Sequence, residues 1–337
     1  MKICVVGAGA IGGYMAVRLS AAGHDISVIA RGPHLAAIRA RGLTLIEADQ
    51  ELVVEPRAAT DRITDLDPHD VVLLALKAHQ VEAVVSDLPA LFGPTTALVT
   101  LQNGIPWWYF QRLGGPYANR VVRAVDPNAI LFNTIDPERI IGCIAYPAVT
   151  LAEPGVVRHV EGNRFPLGEL DGRESERVHA IAEAFTGAGF KARILDDIRS
   201  EIWLKLWGNL TFNPISALTH STLVDICQFP LTRALAATMM FEAQAVGERL
   251  GATFRVPMER RIAGAESVGK HKTSMLQDVE AGKPLEIDGM LGAVVELADV
   301  TSIEVPTLRA LYACVSLLDA TIQGEQRQVR AIPREHQ

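Results

Sequence analysis

The sequence predicts an α/β domain with a doubly wound parallel sheet over residues 1–196, followed by an all-α domain over 197–337. Three observations predict it. Glycines at 7, 9 and 12 interrupt a β-rich run and open a helix within the first thirty residues. Runs at 71–76 and 97–101 are apolar throughout or nearly so, as strands buried on both faces of a parallel sheet should be. After Asp196-Asp197 the strand patterns stop and stretches of helical period take over. A length of 337 residues agrees with two domains.

In chain order, 2–6 reads as a strand, 10–22 as a helix closed by Gly23, and 26–29 as a second strand. Gly7, Gly9 and Gly12 fall in G-x-G-x-x-G spacing between the first strand and that helix. This is the context of the Rossmann-like dinucleotide fingerprint. Gly7 permits the tight turn, Gly9 lets a pyrophosphate approach the backbone, and Gly12 lets helix and strand pack closely. Ala10 and Ile11 open the helix, whose free N–H groups and positive potential favour phosphate. The residue after the second strand selects the cofactor. An acid there holds a ribose 2′-hydroxyl, whereas an arginine accommodates a 2′-phosphate. Arg31 stands there and no acid follows before Glu47, so NADP (NADPH) is expected. An arginine after a strand is also an ordinary surface residue, and Arg39 and Arg41 either add charge or cap a helix end.

Further strands are expected at 43–46, 52–54, 71–76 and 97–101. Lys77 and Gln80 follow the carboxyl end of one of these, and Asn103 in a Gln-Asn-Gly turn follows another, at the sheet edge where open α/β sheets bind ligands. Each alone is explained as well by turn chemistry or surface charge. The β-branched stretches 121–125, 140–146 and 156–160 predict a small antiparallel extension. A helix at 177–188 and a last strand at 190–195 close the domain. Beyond it, Ser200 is a candidate helix cap, helices are expected at 229–250, 258–268, 273–280, 290–300 and 307–322, and a polar tail starts at Arg327.

The second domain opens with EIWLKLWGNLTFNPISAL, residues 201–218. Lys205, Asn209 and Asn213 recur every four residues and so stack on one helix face. The other faces carry Trp203, Leu204, Leu206, Trp207, Leu210 and Phe212, the composition of a buried helix. An ammonium and two carboxamides aimed into a dry place need partners, and a substrate is one. The alternative is a plain i,i+4 pair of Glu201 with Lys205 on an exposed edge. Pro214 is expected to stop or kink the helix. Downstream, Glu286 lies between Leu285 and Ile287, where a carboxylate needs a cationic partner.

The formal charge of −7 argues against a nucleic-acid or membrane-surface partner. Cys4, Cys143, Cys227 and Cys314 are scattered, without disulfide or zinc spacing. His24, His34, His79 and His271 lie in no ligand spacing, so no metal is expected and these read as structural or surface residues. Met1 runs straight into a strand, unlike a secretory signal, and no apolar run approaches the ~18 residues of a membrane span. A cytoplasmic protein is expected. The apolar helices of the second domain leave room for a homodimer.

Six motifs in this order resemble the ketopantoate reductase (2-dehydropantoate 2-reductase) family over nearly the whole chain. They are GAGAIG at 7–12, LKAHQ at 76–80, LQNG at 101–104, the 201–218 helix, SMLQD at 274–278 and LEID at 285–288. The resemblance implies an oxidoreductase that reduces a small 2-oxo acid, 2-dehydropantoate, to pantoate with NADPH, on the route to pantothenate. It implies Lys205 as the catalytic lysine and general acid, with Glu286 as its partner carboxylate. Asn103, Asn209, Asn213 and Ser274 would meet the substrate. Gly7, Gly9, Ala10, Ile11, Gly12, Arg31, Lys77, Gln80 and Asn103 would line the cofactor site. Two departures from the family pattern bear on the substrate: Thr219-His220-Ser221-Thr222 where an Asn-Gly-like turn is usual, and the bulky Trp107-Trp108 pair. They favour a paralogue acting on another 2-oxo acid; the other alternative, a non-catalytic NADP-binding sensor, is one whose signature would be loss of Lys205 or Glu286, and both are present.

Overall fold

A computed structural model describes residues 1–48 and 50–331; within the polar tail, residues 332–337 lie outside the described residues. The first part of the chain runs β1 (Lys2–Val6), α1 (Ala10–Ala21), β2 (Asp25–Ile29), α2 (Gly32–Arg41), β3 (Leu43–Glu47), β4 (Gln50–Val54), β5 (Ala58–Thr60), β6 (His69–Leu74), α3 (Ala78–Val85) and β7 (Phe92–Thr100). It continues with α4 (Ile130–Thr134), β8 (Ile140–Cys143), β9 (Ala148–Glu153), β10 (Val156–Glu161), β11 (Leu167–Glu169) and α5 (Glu176–Gly187). The second part is helical: α6 (Ile198–Thr219), α7 (Leu223–Gln228), α8 (Pro230–Arg249), α9 (Met258–Ser267), α10 (Ser274–Ala281), α11 (Ala293–Thr301) and α12 (Pro306–Glu325).

Among the described residues, seven strands form one sheet in the order β11-β8-β7-β6-β1-β2-β5, parallel except where β11 meets β8. The chain leaves β1 toward β2 on one side and returns to β6 on the other. Between β1 and β6 the direction of winding therefore reverses, which is where such sheets bind ligands beyond the carboxyl ends of the strands. Ile3, Val5, Val28, Val71, Leu73 and Val99 supply the core of this sheet. Tyr14, Phe165, Phe185 and Phe190 close it with edge-on and tilted ring contacts.

A second sheet, β4-β3-β10-β9, differs from the expected extension. Of the three predicted stretches only 156–160 joins it. Residues 140–143 enter the main sheet parallel to β7, and the 43–46 and 52–54 runs form the β3–β4 hairpin of the second sheet. Residues 121–125 are no strand: the amides of Arg123 and Ala124 donate to the Glu296 carboxylate (2.8 and 2.6 Å) instead of to a ladder. Nor do residues 190–195 form one, since only isolated bridges at Lys191 and Ile194 tie them to the chain at Arg164 and Leu167.

The chain divides into two compact units. Met1–Asn103, Trp107–Val121 and Asp126–Ile198 make the first; Gly104–Pro106, Val122–Val125 and the chain from Arg199 onward make the second. The two short inserts join the helical unit through their backbone amides: Ile105 N–H donates to Gly289 O (2.7 Å), and Arg123 and Ala124 donate to the Glu296 carboxylate as above. Among the described residues no helix is long and apolar enough to cross a membrane.

Candidate active site

In the first unit the glycine turn is built as its spacing demands. Gly7 has φ +98°, and its amide and that of Ala8 both donate to Ile29 O (3.1 and 3.0 Å), tying the turn to the end of β2. A Cβ on Gly12 would stand 2.1 Å from Gly7 O and 3.0 Å from Ala75 and Val5, so only glycine lets α1 approach the strands. Gly9 differs. A Cβ there would meet nothing within 4 Å, and no side chain caps the helix that it starts. The amides of Ala10, Ile11 and Gly12 therefore belong to the uncapped first turn, whose N–H groups lack intrahelical acceptors.

Around this turn lies a pocket of about 200 Å³ lined by residues that include Gly7, Gly9, Ile29, Arg31, Leu76 and Gln80. Arg31 is exposed at the N-terminus of α2. Gln80 has a second task, for its Oε1 accepts the Lys77 amide (3.3 Å) at the start of α3, where Lys77 is half-buried. Asn103 is half-buried just past β7, the neighbour of β6. Four of the expected cofactor residues thus face one pocket, Ala10, Ile11 and Gly12 form the helix turn behind it, and Lys77 and Asn103 follow neighbouring strands. His34 was legible only as a structural or surface residue, yet it lines this pocket. Its place three residues after Arg31, one helical turn on, is the signal that could have found it. Open space at a glycine, donors without acceptors and a cation fit a phosphate-bearing dinucleotide.

In the second unit, α6 is buried almost all round. Trp203 and Trp207 are fully enclosed, Trp207 donating to Met240 O (2.7 Å) with its ring edge-on to Phe254. Lys205 and Asn209 are half-buried, and Asn213 is 6% exposed. Glu201, the alternative's exposed partner for Lys205, is buried and pairs with Arg255. Ser200 lies inside the helix and accepts from Thr253 N–H (2.8 Å), so it is no cap. Nor does Pro214 stop the helix, which runs on to Thr219. An interior proline costs about 3 kcal/mol, but burying Leu210, Phe212 and Ile215 contributes about 1.5–3 kcal/mol each, so packing wins.

Asn213 connects this face to the Glu286 segment. Its Nδ2 donates to the Met290 sulfur (3.9 Å), and Met290 belongs to a π-helical turn, Asp288–Gly292, that begins two residues after the half-buried Glu286. That turn is firmly held. Leu285 N–H donates to Asp319 (3.1 Å), Tyr312 O–H donates to Asp288 (3.1 Å), and a Cβ on Gly104 would stand 2.0 Å from Gly289 O. Burial and the Asp288 charge raise the Tyr312 pKa, so the phenol stays a donor. Ser274, by contrast, is exposed at the start of α10, whose cap is Thr273.

The two departures from the family pattern have structural accounts. In 219–222 the chain turns at His220 (φ +56°) and Thr222 stands at the cap before α7, its amide donating to Asp225 (3.0 Å). The Thr222 hydroxyl and amide hold the Asp225 carboxyl below its ordinary range. Trp107 and Trp108 are buried, and Trp108 Nε1 donates to Thr100 Oγ1 (3.0 Å) in the sheet unit.

Residues 3–172 match the family model described as ketopantoate reductase PanE/ApbA, and residues 197–319 match its C-terminal model. The chain belongs to the ketopantoate reductase family. A 2-dehydropantoate 2-reductase of Mesorhizobium japonicum is 53% identical over 94% of this chain and 98% of its own. A structure from Ralstonia solanacearum MolK2, provisionally described as a ketopantoate reductase, superposes with a TM-score of 0.91 at 39% identity, covering 96% of this chain and 98% of that one. D-mandelate dehydrogenase, solved with NADH and anilino(oxo)acetate, shares the fold at 22% identity and a TM-score of 0.81, over 96% and 99% of the two chains. As a ketopantoate reductase family member the chain is an oxidoreductase, its Rossmann-like unit implies a nicotinamide cofactor, and the substrate class is a small keto acid.

Proposed function

We propose that this chain reduces 2-dehydropantoate to pantoate with NADPH, as a cytoplasmic enzyme of pantothenate biosynthesis. One observation carries the catalytic part. Lys205, Asn209 and Asn213 share one face of a buried helix, and Asn213 reaches the turn that follows Glu286. Residues 1–196 would hold the cofactor and residues 197–337 the catalytic groups.

Gly7, Gly9, Ala10, Ile11 and Gly12 would receive the pyrophosphate on backbone N–H groups, and Arg31 the 2′-phosphate. Lys77, Gln80 and Asn103 would continue the cofactor site along the carboxyl edge of the sheet. When bound, the nicotinamide supplies hydride to the keto carbon. As negative charge builds on the carbonyl oxygen, Lys205 donates a hydrogen bond and then its proton to that oxygen, and solvent restores the proton. Glu286 orients the ammonium. Asn209 and Asn213 fix geometry without adding charge, and Ser274 and Asn103 hydrogen-bond the substrate. The exposed Leu231, Phe241 and Leu317 on α8 and α12 support a homodimer; a one-chain mass in sedimentation would remove that part.

The test is NADPH oxidation by purified protein with 2-dehydropantoate beside pyruvate, 2-oxoisovalerate and 2-oxoglutarate. Turnover with 2-dehydropantoate far above the others is expected. Turnover with another oxo acid alone would move the chain to a paralogous reductase, and tight NADPH binding without turnover of any would favour a sensor.

A further inference from the structure

His34 bridges two backbone segments that are far apart in sequence. Its Nδ1 accepts the Gly155 amide (2.9 Å), so that nitrogen carries a lone pair and the ring proton sits on Nε2. Nε2 therefore donates to Ala8 O, at 2.6 Å. Gly155 makes a firm anchor. It turns the chain between β9 and β10 at φ +83°, its carbonyl accepts Thr44 N–H (2.9 Å), and Arg41 donates to Pro154 O (2.6 Å) beside it. At the other end, Ala8 N–H is already held by Ile29 O. With its amide and its carbonyl both tied, the peptide planes on either side of Ala8 are held, the Ala8–Gly9 plane through Ala8 O. In a trans peptide C=O and N–H point in opposite directions, so holding Ala8 O also sets the direction of Gly9 N–H. Gly9 is the residue whose missing side chain leaves the pocket open.

We propose that neutral His34 is a positioning residue for the cofactor, locking the glycine turn to the β9–β10 turn in the shape that receives a dinucleotide pyrophosphate. The proposal rests on the cofactor reading of this pocket. It assigns the second sheet a part in cofactor binding. Because the pyrophosphate is common to both nicotinamide dinucleotides, the effect of His34 falls equally on NADPH and NADH, unlike that of Arg31.

The test compares H34A, H34N and H34Q by titration calorimetry with NADPH and with NADH, alongside thermal unfolding and kcat at saturating cofactor. Glutamine can place an N–H donor near the position of Nε2, whereas asparagine offers an acceptor near that of Nδ1 only. In H34A and H34N, Kd is expected to rise about five- to tenfold for both dinucleotides, the size of one lost hydrogen bond to the loop. H34Q should stay within about twofold of the unaltered protein, and kcat at saturation should hold in all three. Unchanged Kd in H34A, a loss confined to NADPH, or rescue by asparagine but not glutamine would each overturn the proposal. If the unaltered protein bound neither dinucleotide, the cofactor reading itself would fall, and the role of His34 with it.

Discussion

The pocket around Gly9 and the face of α6 present polar groups by opposite means. The pocket is made from backbone. Glycines remove side chains, strand ends supply hydrogen-bond acceptors, and an uncapped helix turn supplies donors. The α6 face is made from side chains, with an ammonium and two amides set among enclosed indoles. A backbone site depends on chain path and tolerates any neighbour that preserves it. A side-chain site depends on the chemistry of single residues. Binding of a cofactor shared by many enzymes suits the first, and a proton delivered to one oxygen needs the second.

The largest expected effect separates the two. Lys205→Ala should lower kcat about 10²–10⁴-fold while the NADPH Kd stays as it was; steady-state assay and calorimetry measure both, and unchanged kcat would reject Lys205 as the acid. Next comes a pair of glycines in the backbone site. Gly9→Ala places its methyl in open space, so its melting temperature should match the unaltered protein while the NADPH Kd rises roughly 10–100-fold from overpacking of the bound state. Gly12→Ala drives a methyl against Gly7 O and should lose both stability and affinity. Equal behaviour of the two variants would break the distinction drawn between them. The smallest effect tests a side chain inside the backbone site. Arg31→Asp should move the ratio of kcat/KM for NADPH over NADH about tenfold or more toward NADH, since a charge-assisted contact to phosphate becomes a repulsion. An unaltered ratio would remove Arg31 from the 2′-phosphate.

Much of this was legible in the residues. Gly7, Gly9 and Gly12 announced their turn because each glycine answers a local constraint, of φ, of open space or of close approach. The α6 face was legible because three polar residues at spacing four stand out against tryptophans and leucines. What failed was judged from local pattern where distant partners decide. Residues 121–125 look like a strand, but Glu296 takes their amides. Pro214 could stop or kink a helix, and buried neighbours carry the helix past it without a stop. Glu201 was open to an exposed pair along its own helix, yet it is buried and meets Arg255, more than fifty residues on.

By itself the sequence determined the two-part architecture, the glycine turn and the residue types on α6, because period and spacing are properties of neighbours along the chain. Only the tertiary structure decided that Asn213 meets the turn after Glu286, that Gly104 packs on Gly289, and that His34 joins Ala8 to Gly155. Those contacts link residues dozens of positions apart, and no local periodicity encodes which distant backbone group a side chain will find once the core has formed.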